Sequence, residues 1–599
     1  MRDLCRSALA TARAASIVFF ATGPAQAHAF GARYDLPLPL ELYLAGAGGA
    51  VALSFVIMAL VFRGRPTDAD RLRADLLRYR PIQILFHPAI IGAIQSISVG
   101  LFLLVLVTGF FGTQETLENF GPTFIWIIWW VGLAYVAALA GNLWPAINPW
   151  SILFVGLESL FRRFRPQRQL NLELAYQSRF GVWPAVVLFG LFAWVEMFSG
   201  AAKVPETLAA FILIYSAITW MGMAAFGRSV WLAHGEAFSL AFGVLGRFAP
   251  IGRPERDSPD GHPVHWYLRP YASGLIVARP CSPSMTVFVL LMLSTVTFDG
   301  LRETPLPASL VQWIALQPLL YPFLLELHNL GVDFPVLLET AMFVLLPLVF
   351  FLVYRGFSWL AKLAVDGERS VTEISGLFIF SLVPIAIAYH LAHYLSYLLI
   401  AGQRIVPLAS DPFGIGWNLF GTTDYGVNIG IVGAKFTWYT AVVAIVVGHV
   451  FAVGVAHFVA LRSFQTVRAA LRSQYPFLAL MIAYTMVSLW ILSQPIVESS
   501  SPSSLRAPSD TVSLAPFEFR EYCLEIASPE AIQYEFQSDG PVEFNIHYHD
   551  GFTIKFPVRL EGISVGADEF VAEVQQPYCL MWTNPSMART SLKYRIIGP

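Results

Sequence analysis

The sequence predicts a polytopic, mostly α-helical membrane bundle of about ten spans, with both ends of the mature chain outside and a small β-sandwich at the C-terminal end. Three observations predict it. Only 13% of the 599 residues are charged and 56% are hydrophobic, roughly half the charged share of a soluble domain. The uncharged runs approach the ~20 residues that a helix needs to cross a bilayer. Past residue 515 the pattern changes to short alternating runs such as "IQYEFQS", "VEFNIHYHDG" and "FTIKFPVRL", the period of half-buried strands. The net charge of −2, with no long basic stripe, argues against a nucleic-acid partner; the lipid bilayer is the expected surrounding.

The first element is not part of the fold. "MRDLCRSALATARAASIVFFATGPAQAHAF" joins basic residues, a short apolar core and an A-x-A site, which reads as a cleavable secretory signal over residues 1–27. Cleavage there makes His28 the mature N-terminus. Spans follow near 41–63, 84–112, 122–144, 181–199, 207–227, 285–300, 336–358, 374–400, 436–461 and 475–496 within a helical domain covering 28–496. With the N-terminus outside, the inside loops are "RGRPTDADRLRADLLRYR", "RRFRPQR", the 228–256 loop, "YRGFSWLAKLAVDGER" and "LRSFQTVRAALR". All are basic, as cytoplasmic loops are, and the opposite orientation would put nearly every arginine cluster outside. A Ser/Pro-rich linker over 497–514 leads to the β-domain at 515–599, which this topology places in the periplasm of a bacterial-type inner membrane.

Polar residues inside the spans are the candidates for function. "IAYHLAHYLSYLL" holds His390 and His393, and "VVGHVFAVGVAHFVA" holds His449 and His457. Residues i and i+3 lie about 60° apart on one helix face, so His390 and His393 can serve one point. A rise of about 1.5 Å per residue puts His390 about 24 Å and His393 about 28 Å above the cytoplasmic helix end, His449 about 18 Å and His457 about 6 Å. His449 therefore fits beside His390, and His457 does not. The same ruler brings Glu196, Asp299 and Glu339 to about 21–25 Å. A charge in hydrocarbon costs roughly 2.5 kcal/mol or more unless paired, and a metal ion would neutralise several at once. Imidazole with carboxylate suits Zn²⁺ or Fe²⁺. The expected metal ligands are His390, His393 and His449, with Asp299 as fourth ligand or general base. Glu303 or Glu196 would shuttle the proton, and Arg302 would meet an anionic group of the substrate. The plainer alternative is that these groups hydrogen-bond between helices as polar glue.

Other residues suggest copper. A free His28 could chelate it through imidazole and α-amino groups. "FNIHYHDG" puts His547 and His549 on one strand face, opposite Phe544, Ile546 and Tyr548, and "YCLMW" puts Cys579 and Met581 on one face. These are soft-metal donors. Cys523 and Cys579 are, however, the two cysteines outside in the mature chain, and in an oxidising compartment such a pair is more often a disulfide. The disulfide is the expected reading, leaving the His pair exposed. His234 and Glu236 open an apolar stretch expected along the inner interface, and His262 and His265 fall in a polar loop. G-x-S-x-G, Walker and H-E-x-x-H motifs are absent from the sequence.

Several stretches resemble bacterial integral-membrane proteins of the fenitrothion hydrolase type: "AHAFGARYDLPLPLELYLAGAG", "GNLWPAINPW", "FGRSVWLAHGEAFSLAFGVLGRFAPIGR", "SPSMTVFVLLMLSTVTFDGLRET" and "IAYHLAHYLSYLL" with "ASDPFGIGWNLFG". The C-terminal part looks like a small periplasmic β-domain that also stands alone. The resemblance implies hydrolysis of a phosphorothioate triester at its P–O–aryl bond and transfers no catalytic residue. The combined expectation is a membrane-embedded, metal-dependent hydrolase of a lipophilic ester, a small-molecule substrate partitioning from the bilayer. The alternatives are a copper- or haem-handling protein and a proton-coupled transporter.

Overall fold

Ten helices among the described residues are long and apolar enough to cross a membrane. Each begins and ends near a predicted span, because a segment in hydrocarbon must satisfy its backbone groups internally and helix is the way a single segment does so. In chain order, with one shorter helix between them, they are α1 (Leu40–Val61), α2 (Pro88–Phe111), α3 (Phe120–Leu139), α4 (Ser178–Phe198), α5 (Pro205–Phe226), the short α6 (Ala237–Gly246), α7 (Pro283–Arg302), α8 (Phe334–Ala364), α9 (Val371–Ser410), α10 (Ala434–Ser463) and α11 (Val467–Ser493). The chain is a multi-pass membrane protein with a C-terminal β-domain.

The computed structural model describes residues 36–64, 74–165, 170–252, 266–315, 334–365, 369–494 and 509–597, apart from single positions and pairs within them, plus scattered residues between 316 and 333. The expected signal segment, His28, His262, His265 and most of the linker lie outside the described residues. By compactness the chain divides into two units, residues 1–300 with 343–497 and residues 301–342 with 498–599.

In the first unit α9 is central: 83% of its most apolar window is buried, against 11% for α2. Close helix crossings depend on small residues, as packing inside membranes does. A Cβ at Gly448 of α10 would lie 2.8 Å from the Pro384 carbonyl oxygen of α9, and one at Gly109 of α2 would lie 2.8 Å from that of Pro205 at the start of α5. Part of α3, Phe124–Gly132, winds as π-helix, a form that often marks functional sites.

The stretch after His234, expected along the inner interface, is packed inside the bundle. α6 is buried on nearly every face, and about 15 Å of helix is too short to span. Its exposed N-terminal amides would be costly at depth, and Glu236 resolves this. The fully buried carboxylate caps α6 by accepting from the Phe238 and Ser239 amides, and it also accepts from Tyr215 Oη at 2.6 Å and Trp144 Nε1 at 3.3 Å. Buried helix ends require such partners.

In the second unit six strands, β1 (Ser509–Leu514), β2 (Phe519–Ile526), β3 (Ala531–Asp550), β4 (Thr553–Val571), β5 (Gln576–Thr583) and β6 (Thr590–Ile597), form one antiparallel sheet in the order β1-β6-β3-β5-β2, with β4 on the other edge of β3. The last six residues of the stretch expected as linker thus form β1, paired along β6. One edge of β3 pairs with β6 in its first half and β5 in its second, and irregular register against β4 separates the halves. Such bulges bend a strand, and the sheet curls around a core that includes Phe544, Ile546, Tyr578, Trp582 and Tyr594. Phe544 and Ile546 point inward and Tyr548 packs on the same core, as the alternation of "FNIHYHDG" predicts. A smaller core in this unit joins Val311 and Phe334 to Met587.

Candidate functional site

α9 positions the membrane site. His390, His393, Tyr394 and Tyr397 fall at i, i+3, i+4 and i+7, one face of a helix. His393 is buried, and its Nε2 lies 3.0 Å from Oδ2 of Asp299 on α7. Tyr394 donates its hydroxyl hydrogen to the same oxygen at 2.5 Å, so one carboxylate oxygen organises two side chains of the neighbouring helix. Charge-assisted bonds of this kind are the short, strong ones. Glu196 of α4 and Tyr397 both lie within electrostatic reach of Asp299.

His390 completes the cluster differently. Tyr135 of α3 donates to its backbone carbonyl at 3.1 Å, and the imidazole lies among the rings of Trp130, Tyr135 and Tyr394 at 6.1, 5.4 and 4.7 Å between centroids. Its Nε2 is buried and has no hydrogen-bond partner. A buried polar atom left so is costly and calls for an explanation. Beside it is a cavity of about 40 Å³ bordered by His390, Tyr394, Glu196, Thr295 and Trp130, with Leu245 of α6. One water needs about 10–15 Å³ of such space, so two or three fit.

His449 does not join this group. Its Nδ1 lies 2.8 Å from the Ile445 carbonyl oxygen of its own helix, and its ring is beside Tyr484, 6.1 Å between centroids. The physical reason is azimuth. Gly448 occupies the crossing with α9, and the next residue is turned about 100° away. Equal depth did not bring equal direction. His457 is separate, as its depth implies, bonded to Gln474 Oε1 at 3.2 Å and the Phe62 carbonyl at 2.8 Å. Arg302 and Glu339 form an ion pair at 2.9 Å within the second unit, to which Glu303 also belongs; Arg302 therefore already holds a carboxylate. Tyr394, Tyr397 and Trp130 were missed in the sequence. The two tyrosines were findable, since they repeat the helical spacing of the histidines; Trp130 sits in an aromatic-rich run with no distinguishing pattern.

In the β-domain a disulfide joins Cys523 and Cys579, directly opposite each other on β2 and β5. An oxidised Cys579 is no thiolate ligand, which removes the soft anchor from the copper alternative. His547 is buried, not exposed as expected. Its Nε2 lies 3.1 Å from Glu521 Oε1, its Nδ1 2.8 Å from Asn545 Oδ1, and the Phe556 ring packs against it. Cross-strand register puts Met581 on this face, between Glu521 and Asn545. His549 lies on β3, paired with Ile554, and its side chain is outside the described residues. Among those residues, the set of three His, Cys, Asp or Glu donors lying within 4.8 Å of one another is Glu521, His547 and Cys579. No protein-family model matches this chain, and a comparison with curated proteins finds no relative.

Proposed function

We propose that this protein is a membrane-embedded hydrolase of a lipophilic ester, of the phosphotriester class, whose attacking water sits in the cavity between α3, α4, α7 and α9. The observation that carries the reading is the unpartnered Nε2 of His390 beside a water-sized cavity that Glu196 also borders. An imidazole nitrogen with nothing else to bond is a ready proton acceptor for a water there, and Glu196 is placed to pass the proton on. Asp299, holding His393 and Tyr394, fixes the α9 face from which His390 projects, so it acts as a positioning residue. A triester is far larger than two or three waters, so the substrate enters by parting side chains from the bilayer, with only its reacting centre reaching the cavity.

The donors also suit a divalent ion: one imidazole nitrogen without a partner and two carboxylates are the chemistry of Zn²⁺ or Fe²⁺. His390, Glu196 and Asp299 would hold it, drawing closer than they stand. Bound there, the ion would polarise a phosphoryl oxygen and acidify a water. His449 drops out of the ligand set. The test is purified protein assayed for metal content and for nitrophenol release from an aryl phosphotriester. His390→Ala should cut release by at least a hundredfold and, if the ion is held as described, lower metal content. Unchanged release in His390→Ala rejects the hydrolase.

A proton-coupled transporter is the second reading, favoured by a second set of buried polar side chains on the other side of α7. Thr297, two residues before Asp299 and about 200° around α7 from it, meets Tyr484 of α11 at 2.6 Å between hydroxyls, and Tyr484 adjoins His449. This reading predicts proton-dependent substrate uptake in proteoliposomes, lost in Asp299→Asn, with no ester hydrolysis.

A further inference from the structure

The cluster at Glu521, His547 and Cys579 belongs to no step above, and it raises a separate question. Three potential ligands of different chemistry converge on one sheet face, with the imidazole buried and the carboxylate one-third exposed. Cross-strand pairing lines up Cys523, Cys579 and His547 in a row across β2, β5 and β3. Cys523 is exposed while Cys579 is buried beside the imidazole. The two sulfurs therefore differ: one is open to attack and the other lies beside an imidazole.

We propose that the Cys523–Cys579 disulfide gates a transition-metal site, closed while oxidised and, when reduced, composed of both thiolates with His547 and Glu521. A dithiol reductant supplies the two electrons. Its thiolate attacks Sγ of Cys523, the S–S bond breaks, and the electron pair leaves on Sγ of Cys579, where His547 stands next to the developing charge. The second thiol of the reductant then attacks the mixed disulfide and releases Cys523, and the reductant departs as its own disulfide. Two cysteine thiols remain. A divalent ion then takes the place of the thiol protons and of the hydrogen now lying between His547 and Glu521, releasing these to solvent.

The geometry suits the ion. Bonds of about 2.0–2.3 Å to N, O and S in a tetrahedral zinc site separate neighbouring donors by about 3.3–3.8 Å. Glu521, His547 and Cys579 already present atoms within 4.8 Å of one another, so closure of these three needs shifts of about 1 Å, while Cys523, now held on Cys579, has to turn in once the bond is cut. Asn545 holds the far imidazole nitrogen at 2.8 Å, the outer contact that orients a histidine ligand. Rigid strands supply every donor, and the opposite sheet face is anchored in the core by Leu580, Trp582 and Ile546.

The test uses the full-length protein in detergent micelles with Co²⁺ as probe, in a Cys281→Ser background. The Cys281 thiol is pushed up to about 11 by burial against the pull of Arg247, so removing it costs no thiolate at neutral pH. Reduced protein should bind one Co²⁺ with an intense sulfur-to-cobalt charge-transfer band, displaced by Zn²⁺; oxidised protein should show no such band. His547→Gln should weaken binding at least tenfold, and Cys523→Ser should lose most of the band. The cavity in the membrane is lined by the thioethers of Met197 and Met292 but by no cysteine, so a thiolate-to-cobalt band reports the β-domain, whatever the hydrolysis assay gives. A reduced protein without the band overturns the proposal, as does loss of the β-sheet circular dichroism on reduction or unchanged affinity in His547→Gln.

Discussion

Asp299 is the residue on which the membrane site turns. A carboxylate at that depth is tolerated because two donors from one neighbouring helix converge on it, and removing its charge unties both. Hydrogen bonds to a charged group contribute about 1.5–3 kcal/mol. Asp299→Asn should therefore lower thermal stability in detergent by about 2 kcal/mol and reduce ester hydrolysis about a hundredfold through His390 misplacement. Tyr394→Phe, which leaves the His393 bond intact, should cost about 1 kcal/mol and lose less activity. Equal losses in the two variants would show that Asp299 does not work through the α9 face. Its position at the level of the histidines was legible from counting residues along the spans; its bonds to His393 and Tyr394 were not, because sequence carries depth but no distance between helices.

At the scale of elements, the bundle depends on where side chains are missing as much as on where they are present. Gly448 allows α10 to approach α9 closely at Pro384 and Ala388, and the turn from Gly448 to His449 sends that histidine toward Tyr484. A larger residue at this crossing should separate the helices. Gly448→Leu is expected to cost about 1–3 kcal/mol by overpacking, read as a lower melting temperature, and to disturb His390 through α9. An unchanged melting temperature would mean that the crossing is looser than described. α6 illustrates a different limit of sequence reading. Its apolar run is legible, but a surface-lying helix and a buried one share the same composition. What distinguishes them is Glu236, whose carboxylate finds two amides, a tyrosine and a tryptophan only once the chain is folded.

For the whole molecule, the arginine-rich loops predict an orientation that can be checked directly. A C-terminal alkaline phosphatase fusion should be active in intact cells and a C-terminal green fluorescent protein fusion dark; the reverse pattern would invert the assignment. Span number, most span limits and the switch to strands after the last helix were readable along the chain, because hydrocarbon thickness and the two-residue period of a strand impose themselves on consecutive residues; the ends of α8 and α9 and the start of α11 run beyond the expected limits. The inward face of "FNIHYHDG" was readable for the same reason. Which groups meet was another matter. His449 at the right depth faces the wrong way, His547 expected at the surface is sealed against Glu521 and Asn545, and Arg302 expected to await a ligand already holds Glu339. Local periodicity is a property of neighbours in the chain, whereas a site is made of residues from separate helices or strands whose rotation and spacing are set when they pack.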